Sequence, residues 1–460
     1  MPLPFKIRIV CQYFPSMDQI NIIGAGLAGS LMSVYLAQKG YTVKVYERRP
    51  DMRKHDIGGG RSINLAMSAR AIKALTETDL IEEILPLTIP MYGREIHAKD
   101  GSLTFQPYSH NPEECIYSVS RAELNRRLMN KAEALEKVEF QFNTVCEEVD
   151  LKDGTVTLRN MDTQTVFEAP GARTIASDGA FSAVRYAMQK VPRFNFSQHY
   201  LTHGYKELTI PPTSDGGFRL KREALHIWPR GEYMMIALPN PDGSFTCTLF
   251  FPYEGEISFA SLDTEERVQA FFEEQFGDAV PLIPDLAKEY FQNPTGSLIT
   301  VRCWPWVLED KIALLGDSSH AIVPFFGQGM NSAFEDCTIL SMMLDRHGDN
   351  WKEAFDAYQR ERKPNADAIA DMALENYIEM RDSTADPEFL FRKAVEHQLE
   401  QYLDTYRSRY ELVSFSTIPY ADAYKIGQQN LDILSELMAD LDDPKQVDIE
   451  KAREMINAKT

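Results

Sequence analysis

Ile20-Asn-Ile-Ile23-Gly24-Ala-Gly26-Leu27-Ala28-Gly29, an uncharged run to Gln38, and then Thr42-Val-Lys-Val-Tyr46-Glu47 form the stretch that decides the fold of this chain. An apolar strand, a glycine turn, a helix and a second strand make a βαβ unit. Gly24 permits the tight turn, Gly26 lets the backbone approach a pyrophosphate, and Gly29 lets the helix pack closely. The helix start favours negative charge, and Glu47 at the end of the second strand is placed to accept from ribose hydroxyls. The stretch reads as a dinucleotide site, and the sequence contains one such unit.

Gln19 to Gln38 carries no charge and has about the 20 residues that cross a bilayer. Its three glycines, with Asn21, Ser30, Ser33 and the change from strand to helix halfway along, make it a buried strand, turn and helix instead. The C-terminus is acidic with no long apolar run, and residues 1–16 lack the apolar core of a signal peptide. A soluble, cytoplasmic protein without a membrane anchor is expected, as a monomer or homodimer.

The chain is 460 residues long, enough for one composite fold or two to three domains. Its 44% hydrophobic content excludes a disordered or fibrous chain. With 48 Lys+Arg against 68 Asp+Glu, a net charge of -20 and no basic stripe, nucleic acid is not an expected partner. Six scattered cysteines without a CxxC pair or a His/Cys cluster point to a reducing compartment and no metal site.

Further along, 70–85 and 123–137 read as helices, and 138–149 and 155–167 as strands. The segment 194–251 is β-rich. Within it Met234, Ile236 and Leu238 share one face, as do Thr246, Thr248 and Phe250, so an antiparallel sheet with one wall free for a ligand is expected. Segments 262–276 and 285–291 read as helices, Lys311 to Leu315 as a short buried strand, and most of the chain after Asn331 as helix.

Two further motifs indicate which dinucleotide. Ser177-Asp178-Gly179-Ala-Phe-Ser182-Ala-Val-Arg185 follows one apolar stretch; Leu315-Gly316-Asp317-Ser318-Ser319-His320 follows another and runs on through Pro324 into Gly327-Gln-Gly329-Met330-Asn331. An acid at a strand end can hold ribityl hydroxyls, and backbone N–H groups at a helix start can face an electron-rich flavin edge. In this order behind GxGxxG, the motifs resemble the p-hydroxybenzoate hydroxylase-like flavoprotein monooxygenases, single-component FAD-dependent aromatic hydroxylases, over about residues 18–375. Gly60-Arg-Ser-Ile-Asn-Leu-Ala66, His203-Gly-Tyr-Lys-Glu-Leu208, Leu225-His-Ile-Trp-Pro229, Ile236-Ala-Leu-Pro-Asn240, Pro324-Phe-Phe-Gly-Gln-Gly-Met-Asn331 and Met372-Ala-Leu-Glu-Asn-Tyr377 narrow this to a close resemblance to the kynurenine 3-monooxygenase family, over nearly the whole chain.

That resemblance implies an α/β fold. A Rossmann-like FAD-binding domain (18–80, 111–193 and 300–375) interleaves with an antiparallel β-sheet substrate domain (81–110 and 194–299), and 376–460 form C-terminal helices. It implies hydroxylation of L-kynurenine at ring position 3 with NADPH as co-substrate and O2, through a flavin C4a-hydroperoxide, in tryptophan catabolism towards quinolinate and NAD. It assigns the substrate carboxylate to Arg94 and Tyr108, joined by Asn376 and Tyr410. Leu225, Ile236, Leu238, Thr248 and Phe250 would wall the ring. FAD would be held by Gly24, Gly26, Leu27, Ala28, Gly29, Glu47, Arg48, Ala66, Arg121, Val145, Asp178, Asp317, Pro324, Gly329, Met330 and Asn331. No side chain is assigned as acid or base. Ala176 and Ser177 stand in place of the family's commoner Gly-Ala, Ser318 and Ser319 in place of Ala-Ala, and Phe326 where a histidine is often found.

Without the resemblance these positions have plainer readings. Arg94 and Tyr108 pass for surface or core residues, and the five wall residues for ordinary sheet core. Asn376 interrupts the apolar stripe Ile369, Ala373, Met380, where its amide needs a partner, either a ligand or another helix. His320 reads as structural, and Arg53, Lys54 and Asp56 as a solvated turn. A hydroxylase of another amino-substituted aromatic acid would keep the FAD motifs without needing Arg94, Tyr108 and Asn376 together. A flavoprotein using FAD only to present a surface would not respond to an aromatic amino acid.

Overall fold

The computed structural model describes residues 19–54, 64–169, 171, 173–380, 387–439 and 441–459. Residues 1–16, Asp56 and 60–63, on which parts of the sequence reading fall, lie outside them. The βαβ unit is the centre of a six-stranded sheet ordered 307–308, 312–314, 173–176, 19–23, 42–46, 138–141, parallel except for its first pair. Ile22 lies between Ile175 and Val45, all fully buried. One face of this sheet is apolar through Ile175, Ile22, Val45 and Phe140, while the other carries the row Thr174, Asn21, Lys44 and Glu139, where Asn21 donates to the Ala169 carbonyl and Thr174 to the Gly154 carbonyl.

Helix Leu27–Gln38 packs against Arg121–Ala134 and Gly329–His347. The helix expected over 123–137 begins at Arg121, where the Ser120 hydroxyl accepts from the Glu123 N–H. The one expected over 70–85 is broken. Ala69–Glu77 ends where Asp79 takes φ 55, and Ile81–Ile84 starts a separate turn. The strand read over 155–167 is likewise two strands, Val156–Asn160 and Val166–Ala169, paired antiparallel.

The second large element is a seven-stranded sheet ordered 296–304, 195–210, 245–252, 234–239, 225–229, 93–97, 103–107. Its alternation separates two cores. Met235, Ala237, Cys247, Leu249 and Phe251 face Phe271 and Phe272 of the helix Glu265–Gln275. Met234 and Phe250 face the other way, toward Phe325, Ile369 and Tyr377. Pairing places Ile89–Met91 beside Ile116–Ser120 in a small sheet and carries the large sheet through Trp304.

The C-terminal part is helical: Trp351–Ile378, Pro387–Tyr402, Arg409–Ser414, Tyr420–Met438 and Ile449–Lys459. Trp351–Ile378 packs on Gly329–His347 and on Tyr420–Met438, joining the tail to the first sheet's helices. Among the described residues no helix is long and apolar enough to cross a membrane.

Candidate active site

The three glycines of the turn do three different jobs. Gly24 has φ 101, and a Cβ there would lie 2.5 Å from the Ser177 carbonyl oxygen. On Gly29 a Cβ would sit 2.0 Å from the Gly24 oxygen, whereas on Gly26 it would meet nothing within 4 Å. Gly26 therefore opens onto free space at the start of a helix, as a pyrophosphate requires. The turn is tied down from three sides. Its Gly24 N–H donates to Tyr46 O, its Ala25 N–H to Glu47 Oε2 at 2.8 Å, and its Gly24 carbonyl accepts from the Ser177 hydroxyl at 2.9 Å.

Glu47 does more than the sequence indicates. One carboxylate oxygen braces the turn and the other accepts from the Arg49 backbone and guanidinium, leaving second lone pairs for a ribose. Burial opposes its ionisation, but the hydrogen bonds from Arg49 and Ala25 outweigh it and hold the carboxyl below its ordinary value. Arg48 is exposed beside it, and Val145 is half-buried in the neighbouring hairpin.

A cavity of about 410 Å³ starts at this turn. Gly26, Leu27, Ala28, Ala66, Arg121, Asp317, Pro324, Gly329 and Met330 line one part of it, and Leu225, Ile236, Leu238, Thr248 and Phe250 form the sheet wall, with Arg94, Tyr108 and Tyr410 also on the lining. Asp317 is exposed where it meets the cavity. Asp178 stands beside cavity residues Ser177 and Gly179; its Oδ2 accepts from the Ala183 N–H, while its Oδ1 is buried without a partner. Burial raises this carboxyl. An acid exposed on the cavity wall and a second with one unpartnered oxygen suit the hydroxyls of a dinucleotide cofactor.

Asn331 holds the wall rather than lining it. Its amide oxygen accepts from the Ser68 N–H, and its nitrogen donates to the Ala66 and Gly327 carbonyls. His320 is buried against Trp306, with Nε2 2.6 Å from Asp336 Oδ2, in keeping with a structural role. Arg53 departs from the solvated turn that the sequence suggests. It pairs with Asp51 at 2.8 Å and Glu133 at 2.6 Å, and its side chain is only 14% exposed.

The Arg94 Nε and the Tyr108 hydroxyl are buried polar atoms with no hydrogen-bond partner. The guanidinium lies 5.6 Å from the Tyr108 ring centre and 5.1 Å from that of Tyr410, and the two rings stack at 4.8 Å. Phe326 stacks on Tyr410 in turn, at 5.8 Å. A second cavity, of about 260 Å³, meets the first at these four residues and is lined also by Asn376 and Glu379. The Asn376 amide donates to Phe325 O at 2.6 Å, so its nitrogen is committed to the Pro324–Phe326 turn. Sequence reasoning missed Tyr205, Ser297 and Ile299 on the cavity wall. Only the two-residue alternation of their strands could have marked them.

A glycine turn on a parallel sheet, two strand-end acids and an apolar cavity under a second sheet define a flavoprotein with an FAD-binding domain. The model of the FAD binding domain family matches residues 17–216 and 254–373. Kynurenine 3-monooxygenase of Myxococcus xanthus (strain DK1622) is 50% identical over 443 residues, 96% of this chain and 95% of that protein. The enzyme of the same name from Dictyostelium discoideum is 50% identical over 437 residues, 92% of this chain and 94% of that protein. Among solved structures, 2-methyl-3-hydroxypyridine-5-carboxylic acid oxygenase shares the fold with a TM-score of 0.64 at 19% identity, covering 81% of this chain and 95% of that one. The Pseudomonas aeruginosa monooxygenase PqsL in complex with 2-aminobenzoylacetate does so with a TM-score of 0.63 at 20% identity, covering 79% and 96%. The chain belongs to the kynurenine 3-monooxygenase family.

The turn generates two predictions. Gly29→Ala drives a Cβ into the Gly24 carbonyl and should lower the unfolding midpoint of the protein stripped of FAD, at a cost of about 1–3 kcal/mol. Gly26→Ala should leave that midpoint in place and weaken FAD binding; equal midpoints for the two variants would remove the distinction. Because the Glu47 carboxyl lies below its ordinary 4.5, its stabilisation is complete above that pH and disappears as the pH falls through the lower folded value. The midpoint difference between wild type and Glu47→Gln should therefore be constant from about pH 7 to 5 and close at more acid pH; a difference that persists there would contradict it.

Proposed function

We propose that this chain hydroxylates L-kynurenine at ring position 3 with NADPH and O2, giving 3-hydroxy-L-kynurenine, water and NADP+. The observation that carries the reading is the buried Arg94 Nε and Tyr108 hydroxyl, both unpartnered at an apolar, flavin-sized cavity. Two donors without acceptors match a carboxylate, which a guanidinium binds in a planar fork. The wall of Leu225, Ile236, Leu238, Thr248 and Phe250 then takes the aromatic ring. The relatives' names support the same substrate.

FAD, when bound, supplies the redox chemistry, taking electrons from NADPH and delivering one oxygen atom of O2 to the ring. Gly26 and the start of the helix Leu27–Gln38 would hold its pyrophosphate, Glu47 its ribose, and Asp178 and Asp317 its hydroxyls. Arg121, on the same cavity wall as Asp317, would face the flavin. The chain's task is positioning. Arg94 and Tyr108 fix the substrate by its carboxylate, and the sheet wall sets the ring carbon ortho to the amino group toward the Pro324–Gly329 turn. That amino group activates the ring carbon itself, so no side chain is required as a base. The same apolar wall keeps water out, which limits NADPH consumption without hydroxylation. In this reading 18–80, 111–193 and 300–375 carry the cofactor, 81–110 and 194–299 carry the substrate, and 376–460 form the C-terminal helical region.

One assay tests the reading: NADPH loss and product mass with L-kynurenine, beside anthranilate and 4-hydroxybenzoate. A product heavier by one oxygen is expected with kynurenine alone; FAD-loaded protein that leaves kynurenine unchanged would refute the substrate. Arg94→Ala should raise the kynurenine KM by at least about tenfold, the loss of one charged hydrogen bond, and retain FAD. An unchanged KM would take Arg94 out of the site.

A further inference from the structure

Arg70, on the helix Ala69–Glu77, is 1% exposed and plays no part in the site described above. Its guanidinium divides its donors among four acceptors on two parts of the chain. Nε donates to Glu335 at 3.0 Å; Nη1 donates to the Val413 carbonyl at 2.6 Å and the Ser416 carbonyl at 3.0 Å; Nη2 donates to the Ile418 carbonyl. Its face lies 3.7 Å from the ring centre of Tyr420.

The three carbonyls lie three, six and eight residues after Tyr410. Tyr410 sits in Arg409–Ser414, a helix of six residues, far too short to persist without external support. Its N-terminus has that support in a capping box between Ser408 and Glu411. At its C-terminus a helix leaves carbonyls unsatisfied and carries partial negative charge. Arg70 meets both needs, giving a cation and hydrogen bonds to Val413 and to the loop that leads away from the helix. On its other side it reaches the Pro324–Asn331 turn by two routes. Glu335 lies in the second turn of the helix that begins at Gly329, and the Tyr420 hydroxyl donates to Gln328 Oε1 at 2.7 Å. Gln328 in turn donates to the Ser68 hydroxyl, two residues before Arg70.

We infer that Arg70 is a positioning residue that holds Tyr410 in register with the flavin-side turn, and so sets where the substrate carboxylate sits relative to the reacting oxygen. The inference rests on the kynurenine reading for its substrate, and on hydrogen-bond geometry alone for the link. Lysine keeps the charge but offers three donors from one point, which cannot reach carbonyls and a carboxylate spread around a planar fork. Charge alone is therefore not enough.

The test uses the FAD-loaded full-length protein. Arg70→Lys is expected to retain FAD, to weaken kynurenine binding about tenfold by equilibrium dialysis, and to divert NADPH consumption from hydroxylated product to H2O2. Tyr410→Phe should show the same direction of change, and the double variant should be no worse than the more affected single one, because two residues that act through one another are not additive. Additive losses, or Arg70→Lys with wild-type binding and product yield, would overturn the inference. If Arg70→Lys fails to hold FAD, Tyr420→Phe, which cuts only the link to Gln328, takes its place in the cycle with the same two outcomes. Failure of the wild type to bind or convert kynurenine would instead overturn the substrate reading.

Discussion

The carboxylate of Asp336 is fully buried and joins the Gly316–His320 turn to the helix Trp351–Ile378. Oδ2 accepts from the Gly316 N–H at 2.9 Å and lies 2.6 Å from His320 Nε2; Oδ1 accepts from the Arg362 guanidinium at 2.7 Å. Burial opposes its ionisation, and His320 and Arg362 reverse that and hold it well inside the ionised range. Gly316 stands at φ 61, immediately before the cavity acid Asp317, so the same carboxylate fixes the turn that presents Asp317. Removing one partner of such a pair leaves an uncompensated buried charge, at a cost of roughly 3–5 kcal/mol. From Asp336 the network runs outward. Arg362 also bonds Glu335, and Glu335 bonds Arg70. A continuous line of paired charges thus connects the cofactor side of the cavity to the helix that bears Tyr410.

This explains how a chain with a net charge of -20 accommodates FAD, NADPH and a substrate carboxylate, all anions. The surplus acid is not at the cavity. Its lining holds one carboxylate, Asp317, against two cations, Arg94 and Arg121. In the proposed reading, anion binding falls to the helix start at Gly26 and to those arginines. The serines that replace the family's smaller residues fit the same economy of charge. Ser177 donates to the Ile23 and Gly24 carbonyls, and Ser318 to the Ala176 and Leu315 carbonyls. Each adds a neutral tie at a strand end without bringing a charge near the cofactor.

Much of this was legible in the sequence where a backbone pattern carries the information. The βαβ unit, the two strand-end acids and the alternation of Met234, Ile236 and Leu238 against Thr246, Thr248 and Phe250 all follow from spacing, and the cavity wall uses those six side chains. What spacing does not encode is partnership across long stretches of chain. Arg70 and Val413, or Asp336 and Arg362, look like ordinary surface residues until the fold brings them together. Asp79 broke a helix because it adopts a left-handed turn, and no periodicity announces that. Asn376 shows both sides. Its place in an apolar stripe correctly demanded a partner, yet the partner of its nitrogen is the Phe325 carbonyl, while its neighbours on the second cavity include Arg94 and Tyr410.

Phe326 is best understood through its neighbours. The rings of Tyr108, Tyr410 and Phe326 form a stacked ladder with steps of 4.8 Å and 5.8 Å, and Arg94 lies over the first two. The aromatic faces, together with the Glu379 carboxylate on the second cavity, favour the charged guanidinium. A histidine at 326 would add a polar edge where two cavities meet and give Tyr410 a competing hydrogen-bond partner. With phenylalanine there, the ladder is apolar at the Phe326 end, and its polar groups are the hydroxyls of Tyr108 and Tyr410 and the Arg94 guanidinium. In the proposed reading the polar rungs meet the carboxylate and the apolar end lies toward the ring.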